Sequence, residues 1–495
     1  MKKLLLVLLF LFMLPLCKAD LYSSKFLVLN ADISTEFEIE SDKITPEIEF
    51  ITANFSFFPK DFDNQKILSN YFYPPPRNIK NGVAEFEWRN PIEKKFTIDI
   101  KSKAMVESSK IKIRSKVKFP IKWLPEEIKR YTLPTETIDI NDAIAEKASE
   151  IASGKDDLFD VVDSIAYWVN SNIKYNVSTT TAEASQKSSW VFKNREGVCD
   201  EITSLFISML RSLGIPARFV AGIAYTESPD FKEKWGPHGW AEVYFPDYGW
   251  VPYDVTYAEY GWVDATHIKA TELDDIGKAY TSFSWKAEEG VNLKPSKVKT
   301  AVTIESIGNE KEPEIMIESK IYDNDVGFGS YNAVIVTIEN LEDYYISKDF
   351  YIAKTSSIDI VGEQRKHVLL RPDEIKQIYW ILKVDENLDK KYLYTFPIEV
   401  LTLDNISTMT EFKSVYDEEV FSLEEIENAI ADIEKESEKV YSKNFEINCT
   451  TGKKEFYIYE RPLLDCTIKN LGNILLKDLA LCLNEECRLM TIGIT

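Results

Sequence analysis

An excess of basic residues is missing from this 495-residue sequence, in which 81 acidic side chains face 59 basic ones. The net charge of -22 supplies no global field for nucleic acid, so a polyanionic partner needs a local basic patch. Beyond residue 16 no apolar run approaches the roughly 20 residues that span a bilayer. Histidine is scarce, occurring only at 238, 267 and 367. None accompanies the cysteines between 449 and 487, which leaves that cluster without the partners a mixed zinc site takes. No calcium-loop pattern stands out either, and Asp323-Asn324-Asp325 reads as a turn. Neither a metal nor a cofactor is expected. Wholesale disorder is excluded by 44% apolar and 13% aromatic residues, with charged residues near the ordinary share of about 25%. At about 150 residues per domain the length suggests roughly three domains.

At the N-terminus, Lys2 and Lys3 precede an apolar run from Leu4 to Leu16, and Cys17-Lys18-Ala19 offers the small residues a signal peptidase reads. Residues 1–19 are expected to be a signal peptide cleaved after Ala19, giving a secreted or cell-surface product. Membrane contact follows only if the segment is retained as an anchor. Removing Cys17 leaves an odd set of cysteines, Cys199, Cys449, Cys466, Cys482 and Cys487, in a compartment that permits disulfides. The short interval from Cys482 to Cys487 suits a turn bridged at its ends. The favoured partner for Cys449 is then Cys466, and Cys199 is left alone.

From 20 to 133 the sequence alternates as strands do, at Phe37 and Ile39, Phe96, Ile98 and Ile100, then Ile111, Ile113, Val117 and Phe119. An all-β domain is expected. Its last strand would set Lys110, Lys112, Arg114, Lys116 and Lys118 on one face, a solvated stripe or a contact for an anionic cell-envelope polymer. Between 134 and 290 the period changes to helical, at Ile144, Ala148 and Ile151, at Leu158, Val161, Val162, Ile165 and Trp168, and at Ile202, Leu205, Phe206, Met209 and Leu210. Strands follow over Ala217 to Tyr225, His238 to Phe245 and Gly249 to Asp254, the last two joined by the turn Pro246-Asp247-Tyr248-Gly249. This is an α+β domain. Alternation returns in 300–416, sized for an immunoglobulin-like β-sandwich. Ser422-Leu423-Glu424-Glu425 then reads as a capping box opening a linker helix within 417–443, and 444–495 forms a short β module.

One thiol in this chain has the setting of a nucleophile. Cys199 follows Gly197-Val198 at the start of a predicted helix, whose exposed amides and dipole stabilise a thiolate and can receive an oxyanion. A buried structural cysteine is the plain alternative on these features alone. His238 opens a strand amid Gly236, Pro237, Gly239 and Trp240, and Asp254 ends the strand paired with it, so the hairpin alone brings carboxylate to imidazole. Nucleophile, base and orienting carboxylate are then each supplied once. His267 and His367 lack such surroundings and read as surface or packing residues.

Gly197-Val198-Cys199-Asp200-Glu201, the run into Leu213-Gly214-Ile215-Pro216-Ala217-Arg218, His238-Gly239-Trp240-Ala241-Glu242-Val243-Tyr244 and Trp250-Val251-Pro252-Tyr253-Asp254-Val255-Thr256 resemble the transglutaminase-like family of the papain-type superfamily. The blocks match in order and spacing from about Asp142 to Lys269, under a third of the chain. The resemblance implies a central α+β, papain-like domain with a helix carrying Cys199 packed against a sheet carrying His238 and Asp254, and the alternation on either side sets it between an N-terminal all-β domain and C-terminal immunoglobulin-like modules. By that likeness Cys199 is the nucleophile, His238 the general base and acid, and Asp254 the orienting group. The side chain completing the oxyanion hole is not fixed by these blocks; Trp190, Gln186 and Tyr175 are candidates beside the backbone N–H of Cys199. The expected function is an exported thiol enzyme acting on protein or peptide amides, with a cysteine peptidase favoured over a transglutaminase. A non-catalytic cell-surface binding or scaffold protein with a vestigial central domain is the alternative. A cell-envelope polymer or protein is the further partner to expect, and nucleic acid is not.

Overall fold

The computed structural model describes residues 21–178, 185–276, 280–437, 445–453, 455, 457, 463–470, 476–483 and 486–492. The expected signal peptide lies outside them. Among the described residues no helix is long and apolar enough to cross a membrane.

Strand Phe26–Glu40 buries alternate residues, Leu27, Leu29, Ala31 and Ile33 among them, because side chains of a strand point to opposite faces in turn. It pairs antiparallel with Lys95–Glu107 over nearly its whole length, and a second sheet built on Ile48–Phe55 and Val83–Arg89 closes over the same core. Strands Thr281–Ala287, Asn292–Pro295 and Lys299–Ile307 complete these two sheets. The sequence reading divides that stretch between the central domain and the second sandwich. The N-terminal β unit is instead made of two separated pieces of chain, since the edges of Phe26–Glu40 and Ile48–Phe55 offer unpaired backbone groups that these later strands satisfy.

The expected strand through Ile111 and Phe119 is a second difference. Regular pairing stops at Ser109–Lys110, and the basic residues do not share a face. Lys110 pairs with Glu314, Arg114 with Asp343 at 2.8 Å and Lys116 with Asp156 at 2.5 Å, while Lys112 lies 4.9 Å over the Tyr344 ring. Carboxylates from two other parts of the chain draw these side chains in different directions, which a continuous strand cannot accommodate.

In the central domain, helices Asp142–Ala152 and Leu158–Asn172 are capped by Asn141 and Asp157, whose side-chain oxygens accept from the backbone of Ile144 and Phe159. They pack on helix Cys199–Ser212, which is buried along most of its length. Gly214, at φ +72°, turns the chain out of this helix, and the Ile215 amide donates back to the Leu210 carbonyl. An antiparallel sheet follows, in the order Glu259–Tyr260, Gly249–Asp254, Trp235–Phe245, Ala217–Tyr225, Ile268–Leu273.

Two further sheets, built on Tyr331–Asn340 with Ile375–Val384 and on Ile346–Ala353 with Tyr394–Thr402, enclose a core of Val334, Val336, Phe350, Trp380, Ile398 and Phe412. Helix Leu423–Ser437 opens on the expected capping box, with the Ser422 amide donating to Glu425 Oε2 at 2.7 Å and the Glu425 amide donating to Ser422 Oγ at 3.3 Å. Its Ile426 and Ile430 lie against Ala333 of the sandwich. The final hairpins each hold one disulfide, Cys449–Cys466 and Cys482–Cys487, the pairing expected from the spacing.

His367 ties this sandwich to the central domain. Its Nε2 lies 2.8 Å from Asp163 on helix Leu158–Asn172 and its Nδ1 2.9 Å from Asp349, with the ring stacked on Tyr167 at 4.4 Å. Burial would lower this imidazole, but Asp163 and Asp349 outweigh it and hold it up to about 9. With a folded value above the ordinary 6.5, the stabilisation is full below 6.5 and is lost as pH rises through 9. Thermal unfolding of wild type and His367→Gln should therefore differ most below pH 6.5 and converge above pH 9. A difference independent of pH would remove the ionic role.

Candidate active site

The Cys199 thiol stands at the first turn of its helix, half-buried, and is the only free thiol among the described residues. The turn before it is fixed from inside. Buried Glu201 accepts from the Val198 amide at 3.1 Å through Oε2 and from the Gln186 amide at 2.9 Å through Oε1. A short parallel pairing of Lys174–Tyr175 with Glu196–Gly197 brings Tyr175 beside Gly197. There the Tyr175 hydroxyl meets both the Cys199 thiol and the Cys199 amide, and burial, followed by Cys199, raises its pKa. Tyr175, one of the three oxyanion candidates, is held at the thiol.

His238 lies on strand Trp235–Phe245 and Asp254 at the end of Gly249–Asp254, its antiparallel neighbour, so sheet register sets their approach. The His238 Nε2–H donates to Asp254 Oδ2 at 2.5 Å. That leaves Nδ1 for the thiol. Asp254 is fully buried, and its Oδ1 accepts from the amides of Thr256 at 2.8 Å and Tyr257 at 3.1 Å. The Tyr257 ring covers His238 at 4.6 Å. Burial would lower the His238 imidazole, but Asp254, with Cys199 adding to it, holds it up to about 10. Burial likewise would raise Asp254, and His238 with His267 overrules it and holds the carboxyl well below the ordinary range.

His267 is the residue that the sequence reading misses. It is neither a surface residue nor apolar packing: its Nε2 lies 3.0 Å from the same Asp254 Oδ2, and its Nδ1 lies 3.0 Å from Asp264 Oδ1. Asp264, three residues earlier, is the only local signal for it. Two triads, His238–Asp254–His267 and Glu259–Asp264–His267, bring ligand-type atoms within 4.8 Å of one another, close enough to hold a cation. In the first, both imidazoles are hydrogen-bonded to Asp254, and in the second His267 is hydrogen-bonded to Asp264 while Glu259 accepts from the Asp264 amide; we assign no metal ligands here.

A cavity of about 340 Å³ opens between the central domain and the second sandwich, lined by Tyr22, Thr226, Tyr257, Trp262, Lys348 and Asp349 among others. Neither Cys199 nor His238 lines it. Tyr257 is the link, since its ring also covers the imidazole.

A thiol at the start of a buried helix, facing a histidine and a carboxylate on neighbouring strands, defines a papain-like arrangement. Residues 145–255 match the model of the transglutaminase-like superfamily, and the central domain is transglutaminase-like. Among curated relatives, the uncharacterized protein YebA of Bacillus subtilis is 27% identical over 164 residues, covering 30% of this chain and 22% of that protein. The uncharacterized protein Rv2569c of Mycobacterium tuberculosis is 29% identical over 134 residues, covering 26% and 42%. The chain thus spans less than half the length of these relatives. Among solved structures, a candidate cysteine protease from Cytophaga hutchinsonii is 18% identical with a TM-score of 0.42, over 58% of this chain and 93% of that one.

Gly222 stands opposite His238 in the sheet, and a Cβ there would fall 2.2 Å from the Ile268 carbonyl oxygen and 2.7 Å from the Trp240 ring. Backbone cannot give way cheaply. Gly222→Ala should destabilise the domain by about 1–3 kcal/mol, seen as a lowered Tm. An unchanged Tm would contradict this packing.

Proposed function

We propose that the central domain is a thiol-dependent acyl-transfer enzyme, acting on amide bonds of proteins or peptides outside the cytoplasm. The observation that carries this reading is the His238–Asp254 contact of 2.5 Å, which occupies Nε2 and leaves Nδ1 for the free thiol of Cys199. The bridges Cys449–Cys466 and Cys482–Cys487 are compatible with an oxidising compartment.

In this mechanism Cys199 Sγ adds to the amide carbonyl carbon, and the Cys199 amide, capped by the Tyr175 hydroxyl in the resting site, faces the developing oxyanion. The C–N bond breaks as His238 Nδ1–H protonates the departing nitrogen. A thioester and a neutral imidazole remain. Water then gives a proton to Nδ1 and its oxygen to the acyl carbon, releasing the acid and restoring the thiolate–imidazolium pair. Asp254 holds the ring in the tautomer both steps need. An amine in place of water would give transamidation. Hydrolysis is the favoured outcome, because water is always at hand whereas no amine site is identified.

The test is turnover of a peptide library, with a fluorescent primary amine added in a parallel reaction. Cleavage should vanish in Cys199→Ala and fall about 10²–10⁴-fold in His238→Ala, the range of general acid–base contributions. Amine incorporation without cleavage would reassign the domain as a transamidase. Cleavage that survives Cys199→Ala would sink the thiol mechanism.

A further inference from the structure

Asp254 serves two imidazoles, and the mechanism above uses only one of them. A single oxygen, Oδ2, accepts from His238 at 2.5 Å and from His267 at 3.0 Å, and the two rings lie 5.7 Å apart. His267 is fully buried, so its orientation is set by partners and not by solvent. Nδ1 donates to Asp264 Oδ1, which also accepts from the Thr266 amide at 2.7 Å and the Thr266 hydroxyl at 2.6 Å. Asp264 is thereby held from its own turn.

We propose that His267 is a positioning residue of this site, an imidazolium that holds Asp254 and divides that carboxylate's charge between two rings. The inference rests on the proposed Cys199–His238 pairing and adds to it. A buried carboxylate bound to one imidazole alone would favour the imidazolium strongly, making a poor acid for the leaving nitrogen and a base slow to reappear. A second positive charge 5.7 Å from the first opposes that.

The remaining charges around the pair agree with a cationic His267. Glu259 Oε2 lies 3.8 Å from Nδ1 and accepts from the Asp264 amide at 3.1 Å. Burial, followed by Asp264, raises Glu259 well above the ordinary carboxylate range, so it adds little negative charge. Burial would raise Asp264 too, but His267 and Thr266 hold it low. The Lys311 charge acts to lower Glu259, the Asp264 charge acts to raise Tyr22, and the rings of Trp240 and Tyr257 stand 5.2 and 5.5 Å from His267. One imidazolium between two ionised aspartates closes the charge balance. The His267 imidazole is accordingly raised well above its ordinary value.

The test is the pH profile of Cys199 alkylation by iodoacetamide on the purified protein, which needs no substrate. His267→Gln keeps an amide donor for Asp254 but removes the charge. With one positive charge fewer beside the His238 imidazolium, loss of the Cys199 proton becomes harder, and the acid limb of the profile should move up by about one pH unit. His267→Phe removes the donor as well and should slow alkylation at neutral pH. An acid limb unmoved in a folded His267→Gln protein would overturn the inference. His238→Ala separates the two claims: if it leaves alkylation unchanged, the Cys199–His238 pairing itself fails. If it slows alkylation while His267→Gln does nothing, only the role of His267 is lost.

Discussion

A carboxylate shut away from water is the constraint on which the site depends. Asp254 is fully buried, and an unpaired charge there would cost several kcal/mol. Two imidazole donors on Oδ2 and two backbone amides on Oδ1 remove that cost. Each partner is delivered by a different piece of regular structure: His238 by the neighbouring strand, Thr256 and Tyr257 by the turn that follows, and His267 by the residue entering strand Ile268–Leu273. The carboxylate therefore does more than touch a histidine. It sets where the end of the sheet must lie, and through Nδ1 of His238 it sets where a thiol can be used.

The flanking β units hold this arrangement from outside. Lys269, next to the strand's start, donates its backbone amide to Gln65 of the N-terminal unit at 2.9 Å and its ammonium to Glu242 at 2.5 Å. Glu242 also accepts from Arg218, which lies 4.2 Å over the Trp250 ring. Two polar positions of the sequence blocks, Arg218 and Glu242, thus serve architecture. On the opposite flank His367 and Arg365 of the sandwich grip Asp163 and Asn170 on a helix of the central domain. Tyr345 of the same unit donates to Asp157 at 2.6 Å.

Short-range patterns made much of this legible. Cys199, His238 and Asp254 fall within blocks whose spacing fixes one helix start and one hairpin, and the hairpin register brings the last two together without distant segments. The cysteine pairs of the C-terminal hairpins follow for the same reason, each lying directly across two paired strands. Long-range pairing was not legible. Strands Thr281–Ala287 and Lys299–Ile307 return to the N-terminal unit across more than two hundred residues, and no local period records that. The basic run after Ser109 alternates like a strand, yet its partners Glu314, Asp343 and Asp156 come from elsewhere. His267 was missed because its meaning lies in the Asp254 it meets, and a histidine outside the sequence blocks carries no sign of that contact.

With only His238, His267 and His367 in the chain, nitrogen-15 NMR of the histidine rings reads the central claim directly. If Asp254 binds both imidazoles, His238 and His267 remain imidazolium between about pH 5 and 8 in the wild type, and His238 titrates within that window in Asp254→Asn. A His238 that titrates freely in the wild type, with Asp254→Asn changing nothing, would contradict the account.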